Sequence, residues 1–127
     1  RAIFEGAVNS DRYLLTFKNA GHNAGAPYPL PIEIANNEDK LGASHYTDPV
    51  WDNVRMNNIM DHFATVFFDY YLKNETARKS YLDLIPDGAD GVYSIEDGKA
   101  SDKHTYWKGF SAGGAVGLKL EHLTSGK

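Results

Sequence analysis

The chain predicts an α/β fold, and three observations carry that prediction. A β-prone run, Arg12-Tyr13-Leu14-Leu15-Thr16-Phe17, reads as a strand. Met56, Ile59, Met60, Phe63, Phe67, Tyr70 and Tyr71 then recur at spacings of three and four, which predicts one long amphipathic helix from Pro49 to about Lys73. Near the end, Ala115 to His122 alternates apolar and polar residues, the pattern of a half-buried strand at a sheet edge.

The elements follow in order. Ala2 to Val8 reads as the last turns of a helix, and Asn9-Ser10-Asp11 as a turn cluster. After the strand, Asn19 to Pro31 carries Gly21, Gly25, Pro27, Pro29 and Pro31, so it is a loop with a fixed path. Pro31 opens a short helix through Ile34, ending near Asn36-Asn37. Asp48 is the expected N-cap of the long helix, with Pro49 at its first position, where the missing N–H is harmless. Val66, Phe68 and Leu72 widen the apolar face, so contacts on more than one side are expected. Asn74 either ends this helix or caps a second one from Thr76 to Leu84. Pro86 to Gly91 and Glu96-Asp97-Gly98 read as turns.

Bulk properties narrow the function classes. The 127 residues suit one domain, and 42% apolar with 13% aromatic residues is a globular composition. Seventeen acidic against 13 basic residues give a net charge of −4, with no Lys/Arg stripe for a nucleic-acid backbone. No apolar stretch reaches the roughly 18 residues of a membrane span. The absence of cysteine excludes disulfides, Cys-ligated zinc and a thiol nucleophile, and leaves the compartment open. The chain opens with Arg1, as a processed product or a fragment does.

The chemistry concentrates where the strand run ends in Lys18-Asn19-Ala20-Gly21-His22-Asn23. In open α/β sheets, ligands bind at the carboxyl ends of the strands. A general base must reach the nucleophile's hydroxyl, so a histidine on the loop just past such an end is a candidate base. The alternative is an ordinary loop histidine that caps a turn, and local spacing leaves both open. Tyr28 and the prolines around it either line a pocket mouth or stiffen the backbone.

Tyr13 to Phe17, continued by Gly21-His22-Asn23-Ala24-Gly25-Ala26-Pro27, resembles the terminal strand and catalytic-histidine loop of the dienelactone-hydrolase-like branch of the α/β-hydrolases. Trp51-Asp52-Asn53-Val54-Arg55-Met56-Asn57-Asn58-Ile59-Met60-Asp61-His62-Phe63 resembles the final helix of the same branch. With Tyr106-Trp107-Lys108-Gly109-Phe110 and Gly117-Leu118-Lys119-Leu120, the similarity covers most of the chain in the family's order. The resemblance implies the carboxy-terminal part of an α/β-hydrolase fold: the last parallel strand, the long terminal helix and a small β appendage. It implies His22 as the base of the catalytic triad, with Asn23 helping to fix the loop. It implies hydrolysis of a small carboxylic ester by acyl transfer, with no cofactor. In this family the nucleophile comes first, then the acid, then the histidine. Only 21 residues precede His22, without a strand–turn–helix bearing an exposed serine. Nucleophile, acid and oxyanion donors are therefore expected on an amino-terminal segment, and residues 1–127 form a single partial domain, inactive alone. Its expected partner is that segment or a second copy of the chain. The contrasting expectation is a non-catalytic fragment or subunit that self-associates through apolar faces.

Gly109-Phe110-Ser111-Ala112-Gly113 matches G-x-S-x-G literally. A nucleophile elbow needs an apolar strand before it and a helix after it. Asp102 to Lys108 is too polar for the first and the residues after Gly114 alternate like a strand, so Ser111 is rejected as nucleophile. His45, His62, His104 and His122 show no metal-ligand spacing, and His62 reads as a packed or surface residue of the helix. Asp87, Asp90, Glu96 and Asp97 miss the EF-hand pattern and read as acidic turns, so no metal is expected.

Overall fold

The computed structural model describes residues 1–22, 25–26, 32, 47–90 and 107–127. These sort into two compact units, one made of Arg1–Lys18 with Asp83–Lys127, the other of Asn19–Leu82. The short helix predicted from Pro31 and the turn at Glu96-Asp97-Gly98 lie outside the described residues, apart from Ile32.

The first unit contains α1 (Ala2–Gly6), β1 (Arg12–Phe17) and β2 (Leu118–Leu123). β1 coincides with the run that the sequence marks as a strand. β2 begins three residues later than the alternation suggests, because Ala115–Gly117 turns: the Leu118 N–H donates to the Ala115 carbonyl at 3.0 Å. The two strands pair antiparallel, from Arg12 opposite Leu123 to Phe17 opposite Leu118. This is the one strand pairing among the described residues, so a parallel neighbour for β1 would have to join its opposite edge. Leu118 and Leu120 are buried on one face of β2, and Lys119 and Glu121 alternate with them. On the same face as these leucines, Tyr13 and His122 stack across the strands with ring centroids 4.1 Å apart and planes 7° from parallel.

The outer edge of β2 is covered. The Gly88 N–H donates to the Leu118 carbonyl and the Leu120 N–H to the Pro86 carbonyl, at 2.9 and 2.8 Å. Asp87 bridges to Lys119 in the backbone and accepts from the Lys18 ammonium through its carboxylate. The described part of the turn predicted at Pro86–Gly91, residues 86–90, is thus an edge guard. Gly88 is required there, because a Cβ would stand 2.2 Å from the Ala115 carbonyl oxygen.

Arg12 holds the unit together. It is only 8% exposed, and its guanidinium donates to the carbonyls of Phe4, Ser10, Thr124 and Lys127. These acceptors belong to α1, the turn before β1 and the tail after β2.

The second unit is dominated by α2 (Asn53–Tyr71), with a 3₁₀ helix (Thr76–Tyr81) packed against it. Met56, Ile59, Phe63 and Val66 form its buried stripe at the predicted spacing. The expectation of a second apolar face does not hold for Phe68 and Leu72, which are 53% and 72% exposed. The stripe ends instead at Asp69, a buried carboxylate bonded to Lys73 at 2.6 Å and paired with Arg78 at 3.4 Å. α2 ends at Tyr71 with Leu72 as its C-cap, and Asn74, two residues beyond that cap, takes a left-handed φ of 57° and turns the chain into the 3₁₀ helix.

Replacing Arg12 with Met leaves its carbonyl partners without their donor in a buried site. The expected loss is about 2–4 kcal/mol of unfolding free energy. Urea denaturation followed by tryptophan fluorescence measures it, and a loss under about 0.5 kcal/mol, the ordinary surface range, contradicts the assignment.

Candidate functional site around His22

His22 lies on the loop that leaves β1. Asn19, two residues past the strand, takes a positive φ of 62° and turns the chain out of its extended path. His22 itself is exposed. The backbone on either side of it is tied to the helical unit by two side chains.

The first tie is Asp48. Its Oδ2 accepts the Gly21 N–H at 2.6 Å, while its Oδ1 accepts the N–H groups of Val50 at 2.8 Å and Trp51 at 2.7 Å. One carboxylate thus serves the turn that leads into α2 and the residue just before His22. A Cβ at position 21 would stand 2.8 Å from Asp48 Oδ2, so a side chain there would force the carboxylate to shift. This corrects the helix start. Asp48 is not the N-cap of α2 and Pro49 is not its first residue; Asp52 caps it, accepting the Arg55 N–H at 2.8 Å. Both aspartates suit a cap, and Asp48 has its oxygens engaged in the turn before the helix.

The second tie is Asn57, in the first turns of α2. Its Nδ2 donates to the Ala26 carbonyl at 2.9 Å and to the Asn53 carbonyl at 2.8 Å. Met60, one turn further on, approaches position 25, with its Cε 3.4 Å from where a Cβ would stand. Nearby, the Arg55 guanidinium lies over the buried Trp51 ring, 4.8 Å from its centroid.

The backbone N–H of Gly21, then those of Trp51 and Val50, hold the Asp48 carboxyl below its ordinary range.

The remaining sequence candidates resolve individually. Asn23, His45, His104 and Tyr28 lie outside the described residues. Ser111 is exposed in a Gly-rich turn, where its carbonyl accepts the Gly114 N–H at 2.8 Å. The chain then runs through further turns into β2 with no helix following, so an elbow's geometry is not met there. His62 is half-buried, with ring centroids 5.1 Å from Phe63 and 5.8 Å from Tyr81. Burial, and secondarily the charge of Arg78, push its imidazole below the usual histidine range, and the ring packs between α2 and the 3₁₀ helix. His122 is spent on the Tyr13 stack. Asp87 is engaged by Lys18 and by the Ala89 N–H at 3.0 Å. Among the described residues no three His, Cys, Asp or Glu side chains converge as a metal site, and no helix is long and apolar enough to cross a membrane.

Sequence reasoning passed over the roles of Asp48 and Asn57. Both make hydrogen bonds to loop backbone, which leave no signature in the loop's own side chains. The chain matches no protein-family model, no curated protein and no solved structure.

The Asp48 tie has a defined pH dependence. Its carboxyl is depressed in the folded state, so its stabilising contribution is complete above the unfolded value and is lost as pH falls through the folded one. In ¹H–¹⁵N spectra the Gly21 amide is expected to titrate in acid with a midpoint below the ordinary aspartate value of about 3.9. A midpoint at or above that value contradicts the tie.

Proposed function

We propose that this chain supplies the general base of a serine hydrolase that cleaves small carboxylic esters. The observation that carries the reading is an exposed histidine, His22, on the loop leaving β1, with its flanking backbone bonded to Asp48 and Asn57. A base needs that combination: an imidazole open to a reactant and a backbone that does not wander. The family resemblance supplies the reaction and the ester class.

In this reading a serine hydroxyl from an amino-terminal segment attacks the ester carbonyl. The imidazole of His22 takes the hydroxyl proton and returns it to the leaving alcohol, which gives an acyl-serine. It then takes a proton from water, whose oxygen attacks the acyl group, and returns that proton to the serine as the acid leaves. A carboxylate from the same segment orients the imidazole. No cofactor enters.

A second reading, a non-catalytic subunit that self-associates, draws on the exposed Phe68 and Leu72 at the end of α2. Native mass and fluorophosphonate labelling separate the two. A co-purifying polypeptide that takes the label supports the hydrolase, and His22→Gln then lowers its kcat/KM for p-nitrophenyl acetate by about 10³–10⁴-fold. An unlabelled 14.1 kDa chain found as a homo-oligomer favours self-association. Label on this chain itself overturns the placement of the nucleophile on another segment.

A further inference from the structure

We propose that Asp48 and Asn57 are positioning residues that clamp the His22 loop at Gly21 and at Ala26; the catalytic sense of the clamp rests on the reading of His22 as general base. The two side chains reach the loop from one piece of chain, the turn before α2 and the first turns of α2. Asp48 takes the N–H of the residue before His22, and Asn57 donates to the carbonyl of Ala26 on the far side. Both bonds are made to loop backbone, so they hold the chain at Gly21 and at Ala26 and leave the imidazole exposed.

Local duties do not account for these contacts. The turn at Val50 and Trp51 uses only Oδ1 of Asp48, and Oδ2 goes to Gly21, 27 residues away in sequence. Within α2, Asn57 already bonds the Asn53 carbonyl, and its amide reaches in addition to Ala26, 31 residues away. The glycine at 21 completes the fit, since any side chain there would displace the Asp48 carboxylate. A site is most precise when its supports stand on a regular element, and α2 is the longest one described.

Asp48→Asn is the selective test. An amide has one acceptor oxygen where the carboxylate has two, so it cannot serve both the Val50–Trp51 turn and Gly21. Asn57→Leu removes the other anchor independently and keeps a helix-compatible side chain. Amide hydrogen exchange on the chain is read at Gly21, His22, Val50, Trp51 and, as a fold control, at Ile59 and Phe63. Turnover of p-nitrophenyl acetate is read in the preparation that includes the labelled serine polypeptide.

The expected result is at least tenfold faster exchange at Gly21 and His22 in both variants, with Ile59 and Phe63 unchanged. Turnover then shows kcat lowered about 10²-fold, the scale of a base misplaced by about 1 Å, with KM unmoved. Unchanged exchange at Gly21 and His22 in both variants overturns the clamp, whatever the enzyme proves to be. Faster exchange with kcat unaffected, while His22→Gln still abolishes turnover, overturns the positioning role and leaves the hydrolase reading intact. Turnover indifferent to His22→Gln removes the hydrolase reading, and the catalytic sense of the clamp falls with it. If Asp48→Asn disturbs Ile59 and Phe63, Asn57→Leu decides alone by the same criteria.

Discussion

The strand unit is built on one buried cation. A guanidinium carries five N–H donors in a planar fork and stays charged at any accessible pH. Burying such a group is costly unless its donors are met. Arg12 meets them with backbone carbonyls drawn from α1, from the turn before β1 and from the tail after β2. Those carbonyls come from segments far apart in sequence, so one side chain fixes where the helix, the strand and the tail lie. The ion pairs at the rim count for less. Arg1 contacts Glu5 and Glu121 with its own side chain more than half exposed, where solvent screening leaves little net gain.

The helical unit uses the same physics with the sign reversed. There the organising charges are carboxylates, each bonded to several donors. Asp48 gathers three backbone N–H groups and joins the His22 loop to the approach of α2. Asp69, 4% exposed, closes the other end of the helix. Its hydrogen bond with Lys73 holds its carboxyl below the ordinary range, with the charges of Lys73 and Arg78 adding to that and burial opposing it. Its carbonyl also accepts the Glu75 N–H at 3.0 Å, and so the chain reverses from α2 into the 3₁₀ helix beside it. His62 and Tyr81 then meet edge to face between the two elements. An aspartate that bonds beyond its own turn therefore stands at each side of α2, Asp48 in the approach before the Asp52 cap and Asp69 in the last turn.

Much of the secondary structure was legible because it depends on local pattern. β1 is a short run of β-prone residues between turn formers, and the buried stripe of α2 repeats at helical spacing, so both stand where the sequence indicates. The misreadings arise where a distant partner decides. Asp48-Pro49 has the chemistry of a cap and a first helical residue, but the Gly21 N–H draws the carboxylate into a different job and Asp52 caps the helix. Asp69 drew no reading from the sequence, since one of its partners, Arg78, stands beyond the helix; the lysine four residues on is the one local clue. Ala115-Val116-Gly117 continues an alternation that its turn interrupts. Which strand pairs with β1 was not readable at all, since register belongs to two segments a hundred residues apart. At the candidate site, His22 was visible from the loop it occupies, and its supports were not, because hydrogen bonds to backbone leave no side-chain signature.

Magnitudes explain why the supports sit where they do. Ordering one loop residue costs roughly 1–2 kcal/mol of backbone entropy, and glycines sit at the high end. A hydrogen bond to a charged group returns about 1.5–3 kcal/mol, and a neutral one about 0.5–1.5. The Asp48 bond is exposed and the Asn57 bond only part-buried, so solvent competes for both and discounts these general figures. Neither is large enough to hold the loop alone, so the clamp depends on both bonds together. Gly21 receives the stronger, charged bond, and the residue directly after it is the histidine. The weaker bond falls at Ala26, four residues further along. The limited ordering that two hydrogen bonds provide is thus spent mainly where the backbone carries the one titratable side chain of the described loop. An arrangement serving only to close a turn would have no reason to weight that end.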